Sequence, residues 1–315
     1  MGMWIGSSGL KTRLRAALWC GLAGLAACGG GSDAIEPFEP SQIVLLGEET
    51  TVLTADGKNY SINGVDANNT IDCGLAPIWS QLLVANFGKT LDRCNPDNLT
   101  PRAFTRGAPG AKAADIEAQI TAQFNASPPS SKDLFLLMVG LNDIIEVYEN
   151  FAGAKECDLD PRVNPPLEDA VAQRGRVVAQ QINRLISANV RTIVVTVHDL
   201  GLTPYGRARD SALLTCLTAA FNARVRVDPT QDGRFWGLVL ANDLTDAMTK
   251  VPAAYSLTNV SDAACTAALP DCTSATLVTG ADATTHLWAD DRHFGLRAHA
   301  NIASFAITRA RNNPF

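Results

Sequence analysis

The sequence predicts an α/β domain of three layers, an α/β/α sandwich around a parallel sheet of about five strands. Two observations predict it. Four apolar runs of strand length, QIVLL (Gln42–Leu46), DLFLLMV (Asp133–Val139), RTIVVTV (Arg191–Val197) and FWGLVL (Phe235–Leu240), lack polar alternation, as strands buried on both faces do. Between them lie longer stretches with apolar residues at helical spacing. Strands that alternate with helices make a parallel sheet covered on both faces.

The elements follow in order. QIVLL is the first strand and ends at Gly47. Thr54–Asn69 is polar and turn-rich, and its "ADGK" reads as a hairpin turn. Ile78–Phe87 is apolar at helical spacing, and Arg102–Thr105 is a short strand before the glycine loop Gly107–Gly110. Ala111–Phe124 sets Ala114, Ile116, Ile120 and Phe124 near one helical face. After DLFLLMV, Pro166–Ala188 is a long amphipathic helix with Val171, Val178, Ile182 and Leu185 on its apolar side. RTIVVTV, a helix over Ser211–Val227 and FWGLVL come next. Ser256–Thr279 reads as loop, and Gly295–Ala310 as the final helix. No internal repeat or linker appears, so residues 41–315 are expected to form one domain.

The first 28 residues stand apart. Lys11, Arg13 and Arg15 precede a short apolar run that ends in Leu25-Ala26-Ala27-Cys28. The run is too short to span a bilayer comfortably, which takes about 20 apolar residues. Small residues directly before a cysteine resemble the lipobox of bacterial lipoproteins, which implies lipidation at Cys28. No acidic residue follows Cys28 directly, so the expected destination is the outer membrane, or the periplasm or medium without lipidation. Residues 29–40, opening with Gly29-Gly30-Gly31-Ser32, read as a flexible tether.

Removing the leader's three cations takes the formal net charge from −6 to about −9. An acidic chain without a basic cluster argues against a nucleic-acid partner. Six cysteines remain beyond the leader, and an even number in an exported chain favours disulfides. Pairing neighbours in sequence suggests Cys73 with Cys94 and Cys265 with Cys272, which leaves Cys157 with Cys216. Four histidines without paired-ligand spacing argue against a metal. No cofactor is implied.

In parallel α/β sheets, ligands bind beyond the carboxyl ends of the strands. Three stretches fall there or beside the last helix: Gly47-Glu48-Glu49-Thr50-Thr51, Gly140-Leu141-Asn142-Asp143 and Asp290-Asp291-Arg292-His293. In this order, and with "GAPGAKAADI" between the first two, they resemble the SGNH/GDSL hydrolases, a superfamily of esterases and acylhydrolases. The resemblance implies that His293 is the general base, that Asp290 orients it, and that the Asn142 side chain and the Gly110 backbone line an oxyanion hole. Gly107 is the second choice for that glycine. Its implied substrate is a small ester, a lipid or an acylated glycan. His198 reads as a rim or structural residue, and His286 and His299 as incidental.

The first block departs from the family. Glu48 stands at the aspartate and Glu49 at the nucleophilic serine. A carboxylate has no proton for His293 to take, and its attack on an ester would form a reactive anhydride. Three readings follow, in this order. The nucleophile is shifted to Thr50 or Thr51; the site is inert and binds an acyl or glycan ligand; or Glu49 and His293 together activate water. Charge pairing with Glu49 is expected to raise the pKa of His293.

Overall fold

The computed structural model describes residues 1–2, 37–160, 162–163 and 165–312. Cys28, the leader and most of the tether lie outside the described residues. Contacts gather Phe38–Phe315 into one compact unit.

The elements, in chain order, are β1 (Gln42–Gly47), α1 (Trp79–Asn86), β2 (Ala103–Thr105), α2 (Ile116–Ala126), β3 (Asp133–Met138), α3 (Leu141–Asn150), α4 (Pro166–Ser187), β4 (Arg191–Val195), α5 (Pro204–Arg207), α6 (Ser211–Val227), β5 (Trp236–Val239), α7 (Ala241–Lys250), β6 (Asn259–Ala263), β7 (His286–Trp288) and α8 (Leu296–Asn312). The first five strands form one sheet in the order β2-β1-β3-β4-β5, and every neighbouring pair is parallel. The three-layer α/β/α architecture and the parallel sheet of five strands are those expected.

Strand residues alternate between two cores because successive side chains point to opposite faces. Ile43, Leu45, Leu134, Leu136, Ile193 and Val195 pack with Trp79 and Leu83 of α1, Met248 of α7 and Ile302 of α8. Val44, Leu46, Phe135, Leu137 and Val194 pack on the other side with Ile120 of α2, Ile144 of α3, Val178 and Ile182 of α4 and Phe221 of α6. Leu45 and Leu136 are fully buried, as are Leu46 and Leu137, so both faces of the central strands are covered. This explains why these strands read as continuous apolar runs.

Two helices add to those read from the sequence, and two expectations are corrected. "GLND" does more than end a strand: Gly140 turns the chain, and Leu141 opens α3. Leu141, Ile144, Val147 and Tyr148 make its buried stripe, so the helical period was present but hidden behind turn-forming Asn142 and Asp143. The helix α7, with Ala241, Leu244 and Met248 buried, was likewise not anticipated. Within the stretch read as loop, Asn259–Ala263 is β6, paired in parallel with β7. The "ADGK" turn forms, with Thr54 N donating to Lys58 O at 2.9 Å, but no strands of a hairpin flank it.

Three disulfides, Cys73–Cys94, Cys157–Cys216 and Cys265–Cys272, match the pairing suggested by sequence proximity. Among the described residues no helix is long and apolar enough to cross a membrane.

Candidate active site

In a sheet of order 2-1-3-4-5, the connections reverse direction between β1 and β3, and ligands bind at that switch point. The turns that leave these two strands meet there. Gly47 ends β1 at φ +104°, and Gly140 follows β3 at φ +130°, both values that favour glycine. Gln119 of α2 grips Gly47 from both sides: its Oε1 accepts the Gly47 N–H at 2.7 Å and its Nε2 donates to Gly47 O at 3.1 Å. Gly107 passes close by, since a Cβ there would lie 2.7 Å from Gly47 O. Its N–H donates to Leu45 O, so Gly107 is a packing glycine and is not turned toward the site.

The glycine block contributes Gly110 instead. Its backbone N–H donates to Glu49 Oε2 at 2.7 Å. The Asn142 side-chain amide donates to the same carboxylate, at 3.0 Å to Oε2 and 3.2 Å to Oε1. Glu49 Oε1 also faces His293 Nε2 at 3.4 Å. On the other side of the imidazole, Nδ1 lies 2.8 Å from Asp290 Oδ2. Asp290 Oδ1 accepts the backbone N–H of His293 at 2.7 Å and that of Arg292 at 2.9 Å, which fixes the turn carrying the histidine. The structure therefore brings together Glu49, His293, Asp290, Asn142 and Gly110.

Thr50 and Thr51 are not part of this cluster. Both are buried, and neither hydroxyl has a hydrogen-bond partner among the described residues. Their carbonyls accept instead, from Trp79 Nε1 at 3.0 Å and Ser80 Oγ at 2.5 Å. Neither hydroxyl bonds to His293, whose Nε2 faces Glu49.

Protonation follows from these contacts. Burial alone would push His293 down, but the hydrogen bonds and charges of Asp290 and Glu49 override it and raise its pKa to about 9. Each ring nitrogen faces a carboxylate acceptor, which calls for a proton on both. Burial would raise Glu49, yet its hydrogen bond to His293 and the histidine's charge hold it below the usual carboxylate range. Asp290 is held low by the same balance. Glu48 differs. It is fully buried, and burial with the charges of Glu49 and Asp143 pushes its pKa well up. Glu48 Oε2 accepts from Gly140 N at 3.2 Å, while Oε1 has no partner. Burial thus pushes Glu48 toward its neutral form, while the contacts of Glu49 hold that carboxyl toward its ionised form.

His198 is completely buried rather than on the rim, and its Nε2 lies 2.9 Å from Arg292 O, behind the His293 turn. Burial pushes its pKa down to about 3, so it is neutral. His299 of α8 is buried and faces Trp79 N, and His286 is buried against Asp282 O. Among the described residues no group of three or more His, Cys, Asp or Glu side chains is arranged so that it could hold a metal ion.

This arrangement limits the chemistry. Acyl transfer by a hydroxyl needs a neutral histidine to take its proton and free donors for the oxyanion. Here His293 already carries both ring protons, and Asn142 and Gly110 already bond to Glu49. As a base for water, Glu49 is weakened by the donors that hold it. The Glu49 carboxylate thus bonds to both backbone and amide donors and faces the histidine at once.

No family model and no curated relative matches the sequence. The fold is similar to those of several solved esterases and lipases. An acetyl xylan esterase overlaps at 12% identity and a TM-score of 0.45, over 84% of this chain and 96% of that one. An acetylxylan esterase from Geobacillus stearothermophilus overlaps at 13% and 0.41, over 87% and 95%. An extracellular lipase from Streptomyces rimosus overlaps at 15% and 0.42, over 84% and 99%. At these values the likeness adds nothing to the site's own geometry. What the sheet order itself shows is a doubly wound parallel sheet of five strands, with the loops of the three blocks gathered at its switch point.

Proposed function

We propose that this SGNH/GDSL-like domain does not hydrolyse esters and acts as a ligand-binding protein of the bacterial envelope, held to the outer membrane by lipid on Cys28. The observation that carries the reading is the Glu49 carboxylate, bonded to Gly110 N at 2.7 Å and to Asn142 Nδ2 at 3.0 Å while it faces His293 at 3.4 Å. It mimics the negative charge that an esterase develops on its substrate oxygen, and it is permanent. The leader with Cys28 and the disulfides support an exported location.

Hydrolysis of p-nitrophenyl acetate and butyrate tests this. The wild-type protein is expected to match the buffer rate. Glu49→Ser frees the donors, supplies a hydroxyl and lets His293 return toward neutrality. Its rate is expected to exceed the wild type by about a hundredfold or more, and Glu49→Ser with His293→Ala to lose that gain. Wild-type turnover that disappears in Thr50→Ala or Thr51→Ala would overturn the proposal in favour of a shifted threonine.

A further inference from the structure

Four consecutive carbonyls of the turn that carries His293 are each held by a different donor. Asp291 O accepts Tyr205 N–H at 2.7 Å, and His293 O accepts Ala289 N–H at 2.8 Å. Phe294 O accepts from Ser61 Oγ at 2.7 Å, and Arg292 O faces His198 Nε2 at 2.9 Å. The Arg292 contact stands out for what it holds. The peptide that links Arg292 to His293 is gripped on both edges: its N–H donates to Asp290 Oδ1 at 2.7 Å, and its carbonyl meets His198. A peptide unit is planar, so bonds on opposite edges fix its plane. With it they fix the direction in which the His293 side chain leaves the backbone.

His198 is itself firmly placed. The buried Asn222 of α6 clamps the residue before it: its Oδ1 accepts Val197 N–H at 3.0 Å, and its Nδ2 donates to Val197 O at 2.7 Å. The centroid of the His198 ring lies 4.4 Å from that of Phe294 and 5.5 Å from that of Trp288. A carbonyl only accepts, so His198 Nε2 carries the proton that meets Arg292 O. His198 Nδ1 is buried and has no hydrogen-bond partner among the described residues. The one hydrogen bond of this ring is therefore the one to the His293 turn. We propose that His198 is a positioning residue for His293. By holding the Arg292 carbonyl to the chain that leaves β4, it sets the imidazole between Asp290 and Glu49. Asp290 orients the ring and grips the N–H edge of the peptide; His198 grips the other edge and ties it to the central sheet.

Nitrogen NMR of the histidines in the full wild-type chain comes first. His198 is expected as the neutral tautomer with its proton on Nε2. A proton on Nδ1 instead would overturn the inference, whether or not any variant folds. His198→Phe then keeps a ring of similar size without the donor, and His198→Gln supplies an amide donor of similar reach. Melting curves establish that both are folded. In His198→Phe the His293 titration is expected to fall from about 9 by about one pH unit or more, and in His198→Gln to stay within about half a unit. A purely structural role would lower the melting temperature and leave that titration in place. A titration unmoved in His198→Phe, or lowered equally in both variants, would overturn the inference. Turnover gives a second reading, in the Glu49→Ser background. There His198→Phe should lower kcat by about tenfold or more with KM unchanged, and an unchanged kcat would count against the inference equally. This arm rests on the proposed function. If Glu49→Ser gains no turnover, the proposed function fails, and the titration of His293 beside Glu49 still decides the role of His198.

Discussion

At Glu49 and Glu48, two adjacent carboxyl groups enter the same buried site and resolve into different charge states. Glu49 is held toward its ionised form by His293 and Gly110 despite its burial, while burial pushes Glu48 toward its neutral form. The pH dependence of stability follows in sign. The folded pKa of His293, about 9, lies above its usual value of 6.5, so the folded protein holds that proton more tightly. Its contribution is complete below about pH 6.5 and is lost as pH rises through about 9. Glu48, also raised, acts in the same direction: the unfolded chain ionises it first, so stability declines above about pH 4.5. Glu49 and Asp290, both lowered, contribute above their unfolded values and lose that contribution only on acidification. The melting temperature is therefore expected to fall between pH 7 and 10. In Glu49→Gln, His293 should titrate nearer the ordinary 6.5 by NMR, and the part of the alkaline decline due to His293 should be smaller and end at lower pH. A His293 titration unmoved by this substitution would mean that Asp290 alone sets its charge.

At the scale of elements, the site depends on the turn that joins β3 to α3. A Cβ on Gly140 would lie 2.4 Å from Phe221 Cε1 and 2.7 Å from Val197 Cγ2, on a backbone at φ +130°. A Cβ on Gly110, at φ +76°, would meet nothing within 4 Å. Gly140→Ala is expected to cost about 3 kcal/mol or more in urea unfolding, and Gly110→Ala only about 1 kcal/mol. Equal costs would show that packing of Phe221 against the turn does not decide the matter. The contrast also shows what the sequence could reveal. Strand ends and turn glycines carry local signals, so "QIVLLG" and "DLFLLMVG" identified the right loops. The helix beginning at Leu141 was hidden because Asn142 and Asp143 read equally well as turn residues. The role of His198 was invisible for another reason: the carbonyl it holds, that of Arg292, lies 94 residues away in the chain. That a glutamate follows β1 where the resemblance leads one to expect a serine is legible in the sequence, but the simultaneous contact of Glu49 with Asn142, Gly110 and His293 requires three loops to meet.

At the scale of the molecule, the three disulfides close loops of very different length around this sheet, with separations of 59 residues for Cys157–Cys216, 21 for Cys73–Cys94 and 7 for Cys265–Cys272. A bridge stabilises chiefly by restricting the unfolded chain, and the chain-entropy relation gives about 4, 3 and 2 kcal/mol for these separations. The longest bridge ties the segment after α3 to α6, two elements that pack on the same face of the sheet. The shortest lies within the region whose Cys272 and Pro270 carbonyls hold Asn63. Replacing each pair by alanine should therefore separate two effects. In urea unfolding under oxidising conditions, loss of Cys157–Cys216 is expected to destabilise most and loss of Cys265–Cys272 least. If loss of Cys265–Cys272 proves the most costly, its contribution lies in holding the Asn59–Asn63 segment in the native state, since loop entropy alone ranks it last.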